Sequence, residues 1–327
     1  AVVAALIFPG LGVWQAALLA AVLSPTDAAL GQAVVSNPRV PVKVRQALNV
    51  ESGLNDGIML PVIAVFLALA AAGVDLETPG HWARFAAAQI GFGLLVGAVV
   101  GFGGGKLIHR FAQRNWIDGV FRQLATLAVG VGAFAIAEII GGNGFVAAFA
   151  AGLAFGGAAR EQCSGAYDFA EDEGQLLALL TFLAFGAVLA GPRLGELTWQ
   201  VLLFAVLALT VMRMVPVALS LVGVGLRRAT VLYLGWFGPR GLASILFALF
   251  LVEEAELPGT PQLFLVVTWT VLLSVLLHGL TSVPLTRRYA ALLATMSPAA
   301  DMPEEMEVPE LPLRGSSDMG TGTSPAP

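Results

Sequence analysis

Nine apolar runs, near residues 14–36, 49–71, 84–108, 120–140, 144–158, 175–190, 198–225, 230–252 and 262–286, follow one another with only short polar stretches between them. A helix crosses the hydrocarbon core of a bilayer with about 20 apolar residues, and with fewer where it is broken or supported by neighbours. The chain therefore reads as an all-α polytopic membrane protein of about nine transmembrane helices. Composition agrees, with 57% hydrophobic and 12% charged residues, against roughly a quarter charged in a soluble domain. The net charge of −5 says little about partners, since most charges sit in the connections. Membrane lipid is the expected surrounding, and nothing points to nucleic acid. The single Cys163 forms no intramolecular disulfide and has no metal-ligand spacing around it. Residues 1–290 read as the membrane domain, N-terminally truncated, with Ala1–Phe8 as the stub of a helix. Residues 291–327, rich in Pro and acidic side chains, read as a disordered tail.

Lys and Arg are enriched in cytoplasmic connections. One alternate set of connections holds Arg39, Lys43, Arg45, Lys106, Arg110, Arg114, Arg122, Arg160, Arg227, Arg228, Arg287 and Arg288, whereas the opposite set holds only Arg84 and Arg193. Twelve against two puts the C-terminus in the cytoplasm. The acidic stretch Arg160–Glu173 also falls inside, which the rule tolerates because acidic residues count little in it.

The first run is interrupted at Ser24-Pro25-Thr26-Asp27 and the eighth at Gly238-Pro239-Arg240-Gly241. Proline lacks an amide hydrogen and clashes with the preceding turn, so each helix unwinds and frees backbone groups. Unwound backbone at membrane depth is tolerated only inside protein or along a cavity. The two interrupted helices run in opposite directions, as inverted repeats require, and paired breaks of this kind point to a transporter binding site. Asp27 in the early break and Arg240 in the late one are placed to neutralise exposed half-helix termini.

Residues Glu51-Ser52-Gly53-Leu54-Asn55-Asp56-Gly57 open a charge-free stretch from Ile58 to Ala72. On a helix, Glu51, Asn55, Ser52 and Asp56 fall at about 0°, 40°, 100° and 140°, on one face. Oxygens gathered on one face in low dielectric suit a small cation, a proton, or both in turn. Of 17 basic residues only Arg213 and Arg240 lie deep inside runs, with Arg84, Lys106 and Arg122 at run ends; an unpaired guanidinium deep inside is costly, and Glu51 is the natural partner for Arg213. Gly93, Gly97, Gly101 and Gly105 recur every four residues, a stripe that lets another helix approach backbone to backbone. Glu138, just before Gly141-Gly142, reads as an interfacial side chain, and His278 as a polar link between helices.

Thr26-Asp27 in a broken helix, Glu51-Ser52 with Asn55-Asp56 on the next, the lone Arg213, and Phe237-Gly238-Pro239-Arg240-Gly241-Leu242-Ala243 together resemble the monovalent cation:proton antiporters. The similarity is strongest to the electroneutral Na+/H+ exchanger branch, NhaP-like in bacteria. It extends from Leu23 to about Pro284 and includes Glu138 and His278-Gly279-Leu280-Thr281. The chain departs from that pattern in having Ala28 after Asp27, where many relatives have Pro, and Pro25 upstream. It also lacks the first few helices of the pattern.

The resemblance implies a Na+/H+ antiporter-like fold and a secondary transporter exchanging Na+, or K+ or Li+, for H+ by alternating access, with a role in pH homeostasis. It assigns Asp56 as the carboxylate shared by ion and proton, Asp27 and Thr26 to the site or its electrostatics, and an oxygen to Ser52. Glu51 and Arg213 become a structural ion pair, and Arg240 compensates the late break. For Asp27, helix-end compensation and direct ligation of the transported Na+ both stay open, as do a helix–helix bond and a supporting site role for Asn55. A bare carboxylate in hydrocarbon carries a desolvation cost of several kcal/mol, which either ion removes. Relatives with Asp at the position of Asn55 carry one more titratable group, so Asn55 implies electroneutral one-for-one exchange. No cofactor is implied, a homodimer in the bacterial inner membrane is, and no nucleophile motif supports an enzyme. The alternative is a membrane sensor or scaffold that keeps the fold without transporting.

Overall fold

Apolar sequence of this length leaves backbone groups no partners but each other, and the described residues accordingly form helices and no strand. The computed structural model describes residues 1–27, 30–35, 37–71, 79–158, 174, 176–254, 259–295 and 303–305. Ala28, the connection carrying Asp75 and Glu77, the stretch Arg160–Glu173 with Cys163, Glu256, and the tail from 306 onward lie outside them. In chain order the helices are α1 (Val2–Ile7), α2 (Val13–Val22), α3 (Gln32–Val35), α4 (Val42–Ala71), α5 (Pro79–Gln113), α6 (Gly119–Ile139), α7 (Gly144–Ala158), α8 (Leu176–Glu196), α9 (Trp199–Leu209), α10 (Val211–Ser220), α11 (Arg228–Trp236), α12 (Leu242–Glu254) and α13 (Thr260–Thr295).

Among the described residues, six helical stretches are long and apolar enough to cross a membrane: those of α4, α5, α6, α8, α9 with α10, and α13. Shorter apolar helices lie in α2, α7 and α12, matching the runs expected to be broken or supported. Leu179 and Leu183 on α8 are both 68% exposed; leucines so bare on a membrane-length helix are placed for lipid contact. The run expected at 198–225 bends at Thr210 (φ −113°, ψ −90°). The Thr210 hydroxyl donates to Val206 O at 2.6 Å, a back-bond of the kind that bends helices. In α8 the last turns change to a π turn over Phe185–Ala190 and a 3-10 turn over Gly191–Glu196.

Two bodies of packing frame the molecule. In the first, α5, α6 and α7 lie together around Val96, Ala133, Ala137, Ala147 and Ala151. The glycine stripe of α5 is the contact with α7. A Cβ at Gly101 would sit 2.6 Å from Ala151 Cα, one at Gly97 2.6 Å from Ala150 Cβ, and one at Gly105 2.9 Å from Ala158 Cβ. Glu138 is more than interfacial, since its Oε1 accepts from Gly144 N at 2.7 Å and so caps α7. In the second body, α1, α2, α9, α12 and α13 share a core that includes Leu18, Leu19, Val22, Phe204, Ile245, Val266 and Val271.

A smaller core of Val34, Val35, Val44, Leu48, Tyr233, Phe237 and Tyr289 covers the other ends of α3, α4, α11 and α13. There Tyr233 stacks on Tyr289 with ring centroids 4.1 Å apart. Beyond α13, the turn Pro303–Glu305 docks on the first turn of α11. Glu304 is 1% exposed, and its Oε1 accepts from Arg227 N and Thr230 Oγ1, both at 3.2 Å. This described turn of the tail is held against the membrane domain.

Candidate functional site

α2 stops at Val22 and α11 at Trp236, each just before a proline that offers no amide hydrogen. Residues 23–27, just after α2, and 237–241, between α11 and α12, face each other. Asp27 N donates to Pro239 O at 2.8 Å, so the two unwound segments bond directly. Leu242 N, at the start of α12, donates to Asp27 Oδ2 at 3.0 Å. In return Arg240 Nη1 donates to Ser24 O at 2.6 Å and to Pro25 O at 3.1 Å. The carboxylate of the first break thus caps the positive end of the helix after the second, and the guanidinium of the second break covers the carbonyls left at the end of α2. Asp27 is 8% and Arg240 7% exposed.

Hydroxyls complete the accounting. Ser244 Oγ on α12 donates to Val22 O at 2.8 Å, and Ser52 Oγ on α4 donates to Thr26 O at 2.6 Å. Freed backbone groups that would be costly in hydrocarbon are in this way satisfied across the crossing. Glycine is required at two points of close approach. A Cβ on Gly241 would collide with the Asp27 carboxylate, lying 2.8 Å from its Cγ, and one on Gly238 would lie 2.6 Å from Arg213 Cζ.

Arg213 leaves α10 and reaches Glu51 on α4, with Nη1 on Oε1 and Nη2 donating to Oε2 at 2.8 Å. Nη2 also lies 3.4 Å from Leu234 O. The bidentate pair clamps α4 to α10 and, by passing over Gly238, to the second break. Ser52 is the next residue of α4 and is 2% exposed. One turn further on, Asn55 and Asp56 are both half-buried, and Asp56 Oδ1 is shut off from solvent.

A cavity of about 10 Å³, close to the lower limit for one water, lies between the breaks and α4, lined by Thr26, Asp27, Leu48, Ser52, Phe237 and Pro239. The structure thus brings Thr26, Asp27, Ser52 and the second break to one place. Asp56 stands a turn along α4 from that cavity and is not part of its lining. Ser244 and Ser274 escaped the sequence reading. Their only signal was a hydroxyl inside an apolar helix, and such hydroxyls commonly bond back to their own helix.

The family model for sodium/hydrogen exchangers, transmembrane, matches residues 1–288. The chain belongs to that family. Among its relatives, the K+/H+ antiporter NhaP of Alkalimonas amylolytica is 28% identical over 323 residues, covering 95% of this chain and 54% of its own length. The Na+/H+ antiporter 2 of Zygosaccharomyces rouxii is 27% identical over 325 residues, covering 84% of this chain and 38% of its own length. The chain spans about half the length, or less, of these curated relatives. The sodium proton antiporter MjNhaP1 of Methanocaldococcus jannaschii shares the fold, with a TM-score of 0.63 at 22% identity, covering 85% of this chain and 71% of that one. The paired breaks therefore stand in a cation/proton antiporter fold, on a multi-pass membrane protein.

Proposed function

We propose that this chain is the ion-binding core of a secondary active antiporter that exchanges Na+, or another monovalent cation, for H+ by alternating access. The observation that carries the reading is the crossing itself, where Asp27 and Arg240 cap each other's helices within reach of an α4 face bearing Ser52 and Asp56. Such crossings of broken helices, supplied with oxygen ligands, are where transporters hold ions. Asp56 is the carboxylate that H+ and the cation share. Thr26, Ser52 and Asn55 supply neutral oxygens, and Asp27 holds the break while adding negative potential. Glu51 and Arg213 keep α4 in register with the second break, and Arg240 neutralises the carbonyl end of α2.

A carboxylate without H+ or cation faces a cost of several kcal/mol on entering a dry interior, and either ion removes it. Only loaded states then switch access, which forces exchange and blocks leakage. Asn55 takes up no proton, so one cation moves for one H+ and no net charge crosses. Moving one charge through 100 mV is worth about 2.3 kcal/mol, and electroneutral exchange is indifferent to it. The same reading expects a homodimer in the bacterial inner membrane, with the basic connections and the C-terminus cytoplasmic. The relatives' names cover both Na+ and K+, so both belong in the assay.

The test is proton-flux dequenching in inverted vesicles with Na+, Li+ or K+, comparing the chain with Asp56→Asn. Exchange by the unmodified chain and none by the variant is expected. Equal activity of the two removes Asp56 from its role, and flat traces from both favour a sensor or scaffold that only keeps the fold. Asn55→Asp is expected to make transport respond to an imposed potential. A voltage response in the unmodified chain would overturn electroneutrality.

A further inference from the structure

We propose that Ser274 and His278 on α13 are positioning residues for exchange, replacing with side chains one of the backbone hydrogen bonds that the second break opens. The proposal rests on the antiporter reading above. In an uninterrupted helix the N–H of residue 240 would donate to the C=O of residue 236, four positions back. Here α11 ends at Trp236, and Gly238 and Pro239 turn the chain away. Both halves of the missing bond are met by α13. Arg240 N donates to Ser274 Oγ at 2.7 Å, and His278 Nε2 lies 3.0 Å from Trp236 O. A carbonyl oxygen only accepts, so this contact is a hydrogen bond when Nε2 carries a ring hydrogen, as in the Nε2–H tautomer and in the doubly protonated ring.

Position and burial match this use. Residues 274 and 278 are one helical turn apart and project from the same face of α13, the spacing across which an α-helical hydrogen bond acts. Ser274 is 0% and His278 1% exposed. His278 Nδ1 lies 3.2 Å from Ser274 Oγ and 2.9 Å from Ser274 O, which holds the imidazole upright over the serine. Trp236, tilted against the ring with centroids 5.3 Å apart, closes its other side. Trp236 O also accepts from Gly238 N at 2.9 Å, so the tight turn and the splint meet at one oxygen.

The consequence lies in what the splinted segment carries. Pro239 O accepts from Asp27 N, Arg240 reaches Ser24 and Pro25, and the Asp27 carboxylate caps Leu242 N. Residues 236 and 240 are the two ends of the gap, and fixing both sets where Arg240 and Gly241 meet Asp27. α13 makes no contact with ion or proton in this role. It acts through the break, and a shift of the break of the order of 1 Å is enough to lower turnover many-fold.

The experiment has two arms on the purified chain. Vesicle exchange is expected to fall about tenfold in Ser274→Ala and in His278→Leu, the scale of one buried hydrogen-bond partner lost, with the cation concentration for half-maximal rate raised. His278→Gln, which retains an N–H near the place of Nε2, and Ser274→Thr are expected to recover most of the rate. Equal loss in His278→Leu and His278→Gln would mean that the ring only fills space, and would overturn the proposal. Hydrogen–deuterium exchange of residues 237–242 forms the second arm and needs no transport. The Arg240 amide is expected to exchange at least about tenfold faster in Ser274→Ala, with α5–α7 unchanged as the control for folding. Unaltered protection of that amide overturns the proposal even if the chain transports nothing, whereas lost protection in a chain without flux refutes the antiporter reading alone.

Discussion

The α5–α7 contact and the crossing of the two breaks lie in one molecule but are held by opposite means. Between α5 and α7, Gly93, Gly97, Gly101 and Gly105 let backbones meet and shape sets most of the geometry, with Asn143 N donating to Gln89 O at 3.0 Å where α7 begins. At the crossing the helices are interrupted and polar groups are bare, and Ser24 O, Pro25 O, Val22 O and Leu242 N are met from the other side by a guanidinium, a hydroxyl or a carboxylate. The difference separates scaffold from site. An intact helix satisfies its own backbone and needs only room, whereas a broken one surrenders that independence and gains a place where charge can be held.

The widest separation between the two regions is expected from charge. Glu51→Ala leaves the buried Arg213 without its carboxylate and is expected to cost about 3 kcal/mol in thermal or denaturant unfolding in detergent, the low end of the scale for breaking a buried pair because the Glu51 side chain is 30% exposed. Glu51→Leu combined with Arg213→Met should restore most of that stability. Restoration of exchange along with it would show that the pair has no role beyond holding α4.

Next comes Gly241→Ala, whose Cβ collides with the Asp27 carboxylate. A displaced crossing is expected to lower exchange about a hundredfold with the yield of folded protein kept; wild-type flux would show that the crossing is pliant. In the scaffold, Gly101→Ala puts a Cβ 2.6 Å from Ala151 Cα and should cost about 1–3 kcal/mol as α5 and α7 part, with a far smaller effect on half-saturation than Gly241→Ala. Smallest is Gly103→Ala on the same helix, where a Cβ meets nothing within 4 Å. It is expected to stabilise by about 0.5–1 kcal/mol through helix propensity alone. A loss there instead would mean that the face is covered by another subunit.

Much of this was legible in the chain, for reasons specific to each residue. Pro25 and Pro239 announce breaks because proline removes a donor, and Arg213 announces Glu51 because an intramembrane guanidinium needs an anion. The stripe on α5 announced a close helix but not α7, since small residues state that a neighbour is near without naming it. Glu138 read as an interfacial side chain because nothing local shows that the start of α7 folds back onto it. Thr210 gave no warning of its bend, because threonine sits in straight helices as well. Glu304 and its turn were hidden in a tail whose composition is that of solvated chain.

Hydropathy, prolines and intramembrane charges by themselves determined a helical membrane protein with two interrupted helices and a carboxylate-bearing α4, because the bilayer allows so few ways to satisfy a backbone. Only the tertiary structure decided which groups answer each other: that Asp27 caps α12, that Arg240 covers the carbonyls of Ser24 and Pro25, and that Ser274 and His278 bridge the gap between Trp236 and Arg240. A hydrogen bond lost from a helix leaves its donor and acceptor open to any partner of the right kind. Which partner arrives depends on how helices more than 200 residues apart in the chain cross.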